Sequence, residues 1–176
     1  MEPTNKSNSI NIGLYLGGLL SLIVVLIYAV NLDLFIEWWL GILLFVLVVA
    51  FGVVAANKVK KANGGFISFK EAFIHYFIAI AVGTLVGTVI SIAIFAFIDP
   101  EAATYLNEQI LELSKTTMER FGAPQEAIVA ALEEANKKDN FSVVMQLQSY
   151  VLRLTGYAIV GLIVALIVKK TDTSEA

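Results

Sequence analysis

The chain has 176 residues, 58% of them hydrophobic and 15% charged, with a mean hydropathy of +0.79 and a net charge of −3. A soluble domain carries about a quarter charged residues and disperses its apolar ones; here the charges are gathered between apolar blocks. The absence of cysteine excludes disulfides, thiolate catalysis and Cys-ligated metals, and a single histidine excludes His-pair zinc sites.

A bilayer core of about 30 Å needs roughly 20 mostly apolar residues per helix, so the block lengths set the class. The first block runs over residues 12–30 and has no small-x-small cleavage pattern after it, so it reads as a retained membrane helix rather than a signal peptide. The second, residues 38–56, follows a short connection and opens with Trp38 and Trp39, the residues of an interfacial aromatic belt. The basic stretch Lys58, Lys60 and Lys61 then closes at the turn signal Asn63-Gly64-Gly65.

Ser68-Phe69-Lys70-Glu71 has the spacing of a capping box, in which Ser68 accepts from the Glu71 amide and Glu71 reaches back to the cap amide. It starts a third span over residues 72–98. That span ends at Asp99-Pro100-Glu101, where Asp is a favoured N-cap and Pro a favoured first helical residue, so a new helix begins at once. Leu106, Ile110, Leu113, Thr117 and Phe121 recur at helical spacing. Gly122 stops that helix, and Pro124 opens another with Ala127, Ile128, Ala131, Leu132 and Ala135 on one side. Residues 99–140 therefore predict an αα-hairpin outside the hydrocarbon. A fourth span over residues 149–168 ends at Lys169 and Lys170. The expected fold is all-α: a polytopic membrane protein of four transmembrane helices with an extramembrane hairpin between the third and fourth.

Alternating crossings put Lys6, Lys58, Lys60, Lys61, Lys70, Lys169 and Lys170 on one side, whereas the connection Asn31–Glu37 on the other has no Lys or Arg. Lys137 and Lys138, before the fourth span, oppose this but are outnumbered. The positive-inside rule then predicts cytoplasmic termini.

Small residues recur every four positions at Gly13, Gly17 and Ser21 in the first span and at Ala79, Gly83, Gly87 and Ser91 in the third. Such stripes permit close helix approach. Ile12–Leu22 also aligns without gaps on Val82–Ile92, so duplicated hairpins are one reading and the ordinary abundance of small residues in membrane helices the other.

Among polar positions, Arg153 lies inside the fourth apolar segment, about 24 Å from Lys169 at helical rise, and ends the stripe Ser142, Gln146, Ser149, Arg153. A substrate or lipid-headgroup contact is the functional reading. A snorkelling arginine paired with Asp99, or failing that Glu37, is the plainer and preferred one. His75 can titrate near neutral pH, but an interfacial histidine is more often structural. Asp33 and Glu37 at i,i+4 give only a weak cation signal.

There is no Walker loop, GxGxxG, HExxH or GxSxG pattern, and no acid or base is expected at mid-depth in a span. No enzyme, cofactor or metal is expected, and the basic loop fits anionic lipid better than nucleic acid.

Asn63-Gly64-Gly65-Phe66-Ile67-Ser68-Phe69-Lys70-Glu71-Ala72-Phe73, the glycine-bearing third span ending Ile98-Asp99-Pro100-Glu101, the charged helical insert and the last span together resemble a bacterial family of unknown function, the domain-of-unknown-function family 4199. The resemblance covers nearly the whole chain. It implies a small membrane protein of two-membrane bacteria and, with the orientation above, an inner-membrane location with a periplasmic hairpin. It carries over no activity and no catalytic residues. The expected role is a non-enzymatic interaction or structural component of the envelope, with the lipid bilayer and either another envelope protein or a second copy as partners. A small oligomeric transporter or channel is the alternative.

Overall fold

Each expected apolar block becomes one long helix. The computed structural model describes residues 3–170, so the predicted side of the C-terminus itself concerns residues outside the described ones. In chain order the elements are α1 (Pro3–Val30), a 3₁₀ segment (Leu32–Ile36), α2 (Trp38–Ala62), α3 (Phe69–Ile92) with a π-helical continuation (Ala93–Ile98), α4 (Pro100–Arg120), α5 (Gln125–Asn136) and α6 (Val143–Val168).

Four of these are long and apolar enough to cross a membrane, with 18-residue mean hydropathies between 2.3 and 2.8: Lys6–Val30, Trp38–Ala62, Phe69–Ile98 and Val143–Val168. They extend several residues beyond the apolar blocks, because backbone hydrogen bonding continues past the point where side chains turn polar. Only 22–33% of the most apolar window in each is buried inside the chain, so most of this surface faces outward, as lipid-facing helices require. The fold defines an all-helical, multi-pass membrane protein.

The local signals act as their chemistry dictates. The Ser68 hydroxyl accepts from the Glu71 amide, and the Glu71 carboxylate accepts from the Ser68 amide, completing the capping box that starts α3. Gly64 (φ 67°) and Gly65 (φ 94°) turn the chain between α2 and α3 in a left-handed conformation that favours glycine. Gly122 (φ 72°) does the same between α4 and α5, and Pro124 stands at the N-cap position of α5 without a side-chain bond.

Helix α3 sits at the centre, packed by α1, α2 and α6. Its contact with α1 is a parallel seam in which the small residues of each helix receive the large residues of the other. A Cβ on Gly13 would lie 2.8 Å from Val82 Cβ, and one on Gly17 2.6 Å from Val86 Cβ. In the other direction, a Cβ on Gly83 would lie 2.6 Å from Leu16 Cγ, and one on Gly87 3.2 Å from Leu20 Cβ. The two stretches that align in sequence thus lie side by side. Without a hydrophobic drive between helices in lipid, such close packing is what holds them.

On its other side α3 sends the Tyr76 ring between Gly52 of α2 and Gly161 of α6, where added Cβ atoms would stand 2.5 and 2.6 Å from it. Tyr76 is fully buried and its hydroxyl has no hydrogen-bond partner. The antiparallel α3–α6 register is fixed at three heights. Ile67 and Lys170 exchange backbone bonds of 3.0 and 2.9 Å, Tyr76 meets Gly161, and Ser91 donates to Gln146 Oε1 at 2.7 Å. Continuing that register sets Arg153 level with Thr84.

Lys58, Lys60, Lys61, Lys70, Lys169 and Lys170 gather at the opposite end of the bundle from Asp99. Lys60 Nζ donates to the Val168 carbonyl at 2.8 Å, and the Lys170 ammonium lies 5.2 Å above the Phe66 ring.

Candidate functional site: the Asp99 end of the bundle

At the end of α3 the backbone widens into a π turn over Ala93–Ile98, closed by the Asp99 amide donating to the Ile94 carbonyl at 2.7 Å. Single π turns recur at functional sites because they re-aim side chains out of the regular helical stripe. Here the turn buries Ile94 and Phe95 while leaving Phe97 and Ile98 exposed. Phe95 becomes the hub of an aromatic cluster, with Tyr28 and Phe35 edge-on at 6.3 and 5.3 Å and Phe141 tilted at 4.9 Å. One ring therefore ties together the end of α1, the 3₁₀ segment and the approach to α6.

Asp99 caps α4 as its position predicts, with Oδ1 accepting from the Ala102 amide at 3.0 Å. Its other oxygen, Oδ2, accepts from the Tyr28 hydroxyl at 2.9 Å. The amide bond first, and the phenol second, hold the Asp99 carboxyl below the usual carboxylate range. One turn further along α4, Tyr105 donates to Asp33 Oδ1 at 2.6 Å, and that bond raises its phenol above the usual 10.0. Leu106, fully buried, completes the seat of α4 on the bundle.

Beyond that seat, α4 and α5 pack against each other. A cavity of about 640 Å³ opens beneath them, with Phe95, Ala96 and Val143 at one edge and Asn107, Lys137 and Lys138 among its polar walls. Its rim is cross-linked: Asn107 donates to Asp139 Oδ1 at 2.9 Å and accepts from the Asn140 side chain at 3.0 Å.

The apolar face of α4 picked out by helical spacing divides at this point. Leu106 is 0% exposed, whereas Leu113 is 49% and Phe121 87% exposed. The stripe is core at its base and open along the rest.

The ion pair expected between Arg153 and Asp99, or Glu37, does not form. The register puts Arg153 level with Thr84, about 20 Å along the helix axis from Asp99, and Asp99 is already committed to Ala102 and Tyr28. Glu37 is exposed at the start of α2 and makes no side-chain cap bond. Arg153 is itself exposed, and its Nε donates to the Ser149 carbonyl at 3.2 Å. Arg153 keeps the depth that counting back from Lys169 gives, and it is Asp99 that stands too far along the bundle to reach it.

The rest of its stripe does other work. Ser142 caps α6, and buried Gln146 accepts from Ser91 and donates to the Phe141 carbonyl at 2.7 Å. Asp33 and Glu37 do not share a face, because the intervening segment is 3₁₀, where residues three apart align rather than four. His75 is 1% exposed, with Nδ1 2.8 Å from the Ser9 hydroxyl, bridging α3 to α1. Among the described residues no group of three or more His, Asp or Glu side chains is placed to hold a metal.

The architecture is thus that of a multi-pass helical membrane protein. The chain matches, over residues 11–170, the family described as "Protein of unknown function (DUF4199)", and it belongs to that family. No curated protein and no solved structure matches it.

Proposed function

We propose that this protein is a non-enzymatic component of the cell inner membrane, with cytoplasmic termini and with α4–α5 standing in the periplasm as a hairpin that docks another envelope protein. The observation that supports this reading is the division of the α4 stripe. Its base is fastened through Leu106, Tyr105–Asp33 and Asp99–Tyr28, while Leu113 and Phe121 continue the same apolar row into the open. A row that is rigidly presented and uncovered is the form in which helices offer an anchor to a partner. The lysine-rich Lys60 end supports the orientation.

The orientation is checked by Ser7→Cys and Gln125→Cys, labelled with a membrane-impermeant thiol reagent in a chain without competing cysteines. In cells with a permeabilised outer membrane, Gln125→Cys is expected to label and Ser7→Cys to remain unlabelled. The reverse pattern overturns it. Docking is checked by a photo-crosslinking residue at Phe121 in native membranes. A defined adduct lost in Leu113→Asp is expected, and adducts with lipid alone refute the hairpin as a docking element.

A further inference from the structure

Arg153 holds a charge in the apolar part of α6 for which the described residues supply no counter-ion. Among the described residues the sole ion pair is Lys137–Glu134. The depth of Arg153 follows from the notch around Tyr76. Gly52 of α2 and Gly161 of α6 border the same ring and so share a height. At about 1.5 Å per residue, Lys58 lies about 9 Å from that height toward the Lys60 end. By the same rise the Trp38–Trp39 pair lies about 20 Å, and Arg153 about 12 Å, in the opposite direction. The interval from Lys58 to the tryptophans, about 29 Å, fits one hydrocarbon core. Arg153 therefore starts about 8 Å beneath the tryptophan belt, within the apolar layer.

Its side chain runs toward that belt. Helical side chains lean toward the N-terminus of their helix. The Nε bond to Ser149 continues in that direction along α6, which runs from the tryptophan end. The remaining guanidinium N–H groups are thus aimed at the headgroup zone of the leaflet on the tryptophan side. Beside them, Val151 (61% exposed) and Leu152 (74% exposed) form an aliphatic surface of the kind acyl chains cover.

We propose that Arg153 binds the phosphate of a phospholipid in that leaflet, with the lipid's chains lying along Val151 and Leu152. A planar guanidinium matches two phosphate oxygens and, once bound, no longer stands uncompensated in apolar surroundings. A second copy inserted in the same orientation brings no carboxylate to the backbone height of Arg153. Asp33, Glu37 and Asp99 lie at or beyond the tryptophan level, and Glu71 lies close to the level of Lys58, so no carboxylate of the described chain stands at the height of Arg153. The inference does not depend on which side of the membrane α4–α5 occupies, nor on whether that pair docks a protein.

The test uses the full chain, delipidated in neutral detergent and titrated with phosphatidylglycerol, with bound lipid counted by native mass spectrometry. Saturable binding is expected, weakened about tenfold or more in Arg153→Gln, the scale of a lost charged hydrogen bond. Arg153→Lys should fall between the two, since an ammonium keeps the charge without the fork. Diacylglycerol of the same chain length, which lacks phosphate, should not distinguish the three proteins. Equal phosphatidylglycerol binding by the wild type and Arg153→Gln overturns the proposal. So does competition by millimolar inorganic phosphate, which would make this a water-exposed anion site. A wild-type dimer that dissociates in Arg153→Gln with lipid affinity unchanged also overturns it, in favour of a protein partner. If Arg153→Gln does not fold, Arg153→Lys carries the comparison alone, and unchanged lipid affinity there refutes a bidentate site.

Discussion

Two of the stretches along which helices α1 and α3 meet hold by different means. Through the middle of the seam, Gly13, Gly17, Gly83 and Gly87 take the side chains of Val82, Val86, Leu16 and Leu20. The hydroxyls nearby turn back on their own helices: Ser21 donates to the Gly17 carbonyl and Thr84 to the Ile80 carbonyl, both at 2.7 Å. At the Asp99 end the same two helices are joined by a phenol–carboxylate bond and an aromatic cluster. In lipid a hydroxyl does best by bonding its own backbone, which leaves association to shape. Where the chain passes toward water, a side-chain bond between elements can fix orientation at little cost in desolvation. The two stretches should therefore fail differently, the seam by steric insult and the Asp99 end by loss of a proton acceptor.

The largest effects belong to the seam. Gly83→Ala should destabilise by about 1–3 kcal/mol, the usual range for overpacking, because its Cβ would meet the branched base of Leu16. Gly17→Ala should behave alike. Gly87→Ala should be milder, since its nearest neighbour is 3.2 Å away, and Gly18→Ala, which faces open space, should be silent. Thermal melting in detergent gives the ranking. If Gly83→Ala and Gly18→Ala melt together, the helices do not meet on this face.

Asp99 comes next. Its folded pKa lies below the ordinary 3.8, so its contribution is fully present at neutral pH and is lost as pH falls through 3.8 toward the lowered folded value. Asp99→Asn should lower the melting temperature at pH 7 and flatten its acid dependence. Tyr28→Phe should do so in part, since it removes only the second of the two bonds. An acid profile identical in wild type and Asp99→Asn would mean that this end is not held through the carboxylate.

Tyr76→Phe applies the packing rule to a polar atom. The ring fills the notch between Gly52 and Gly161, but its buried hydroxyl has no partner. Removing it should stabilise the protein by about 1 kcal/mol, the lower end of the cost of an unsatisfied buried group. A marked loss of stability would show that the hydroxyl is bonded, through water or otherwise, and that the middle of the bundle is less purely steric than the seam suggests.

What could be read from the sequence was what depends on neighbours along the chain. The four apolar blocks, the Ser68–Glu71 box, the turn at Gly64-Gly65 and the Asp99-Pro100 helix start are all local patterns, and each has its counterpart in the fold. Features that depend on how distant helices align were not readable. Tyr28–Asp99 and Tyr105–Asp33 join residues 71 and 72 positions apart, and neither tyrosine stands out in its own segment. Gly52 and Gly161 each have just one small residue at four-residue spacing, Ala56 and Ala165, and it is the passage of Tyr76 between them that requires glycine there. Arg153 was paired with Asp99 because the third and fourth apolar blocks were measured separately. Its height follows from the α3–α6 register, which rests on bonds such as Ser91–Gln146. At the candidate site, helical spacing marked the α4 face as apolar, but nothing local indicated that it would be buried at Leu106 and open at Phe121.

The smallest effect expected is at Tyr105, and it separates the seating of α4 from its capping. The Tyr105–Asp33 bond, though short at 2.6 Å, is exposed, so water competes for both partners and the loss in Tyr105→Phe should be slight at neutral pH. Its signature lies in alkali. The bond to Asp33 raises the folded pKa above 10.0, so its contribution is complete below 10.0 and is lost as pH rises through the raised value. Subtracting the ultraviolet titration of Tyr105→Phe from that of the wild type isolates this one tyrosinate among the six tyrosines of the chain. A midpoint above 10.0 that returns to the ordinary value in Asp33→Asn is expected. Because α4 is capped by Asp99 and not by Asp33, its helicity should survive Asp33→Asn while the Tyr105 midpoint moves. If the midpoint stays near 10.0 in both proteins, α4 is held on the 3₁₀ segment by Leu106 and its apolar neighbours alone.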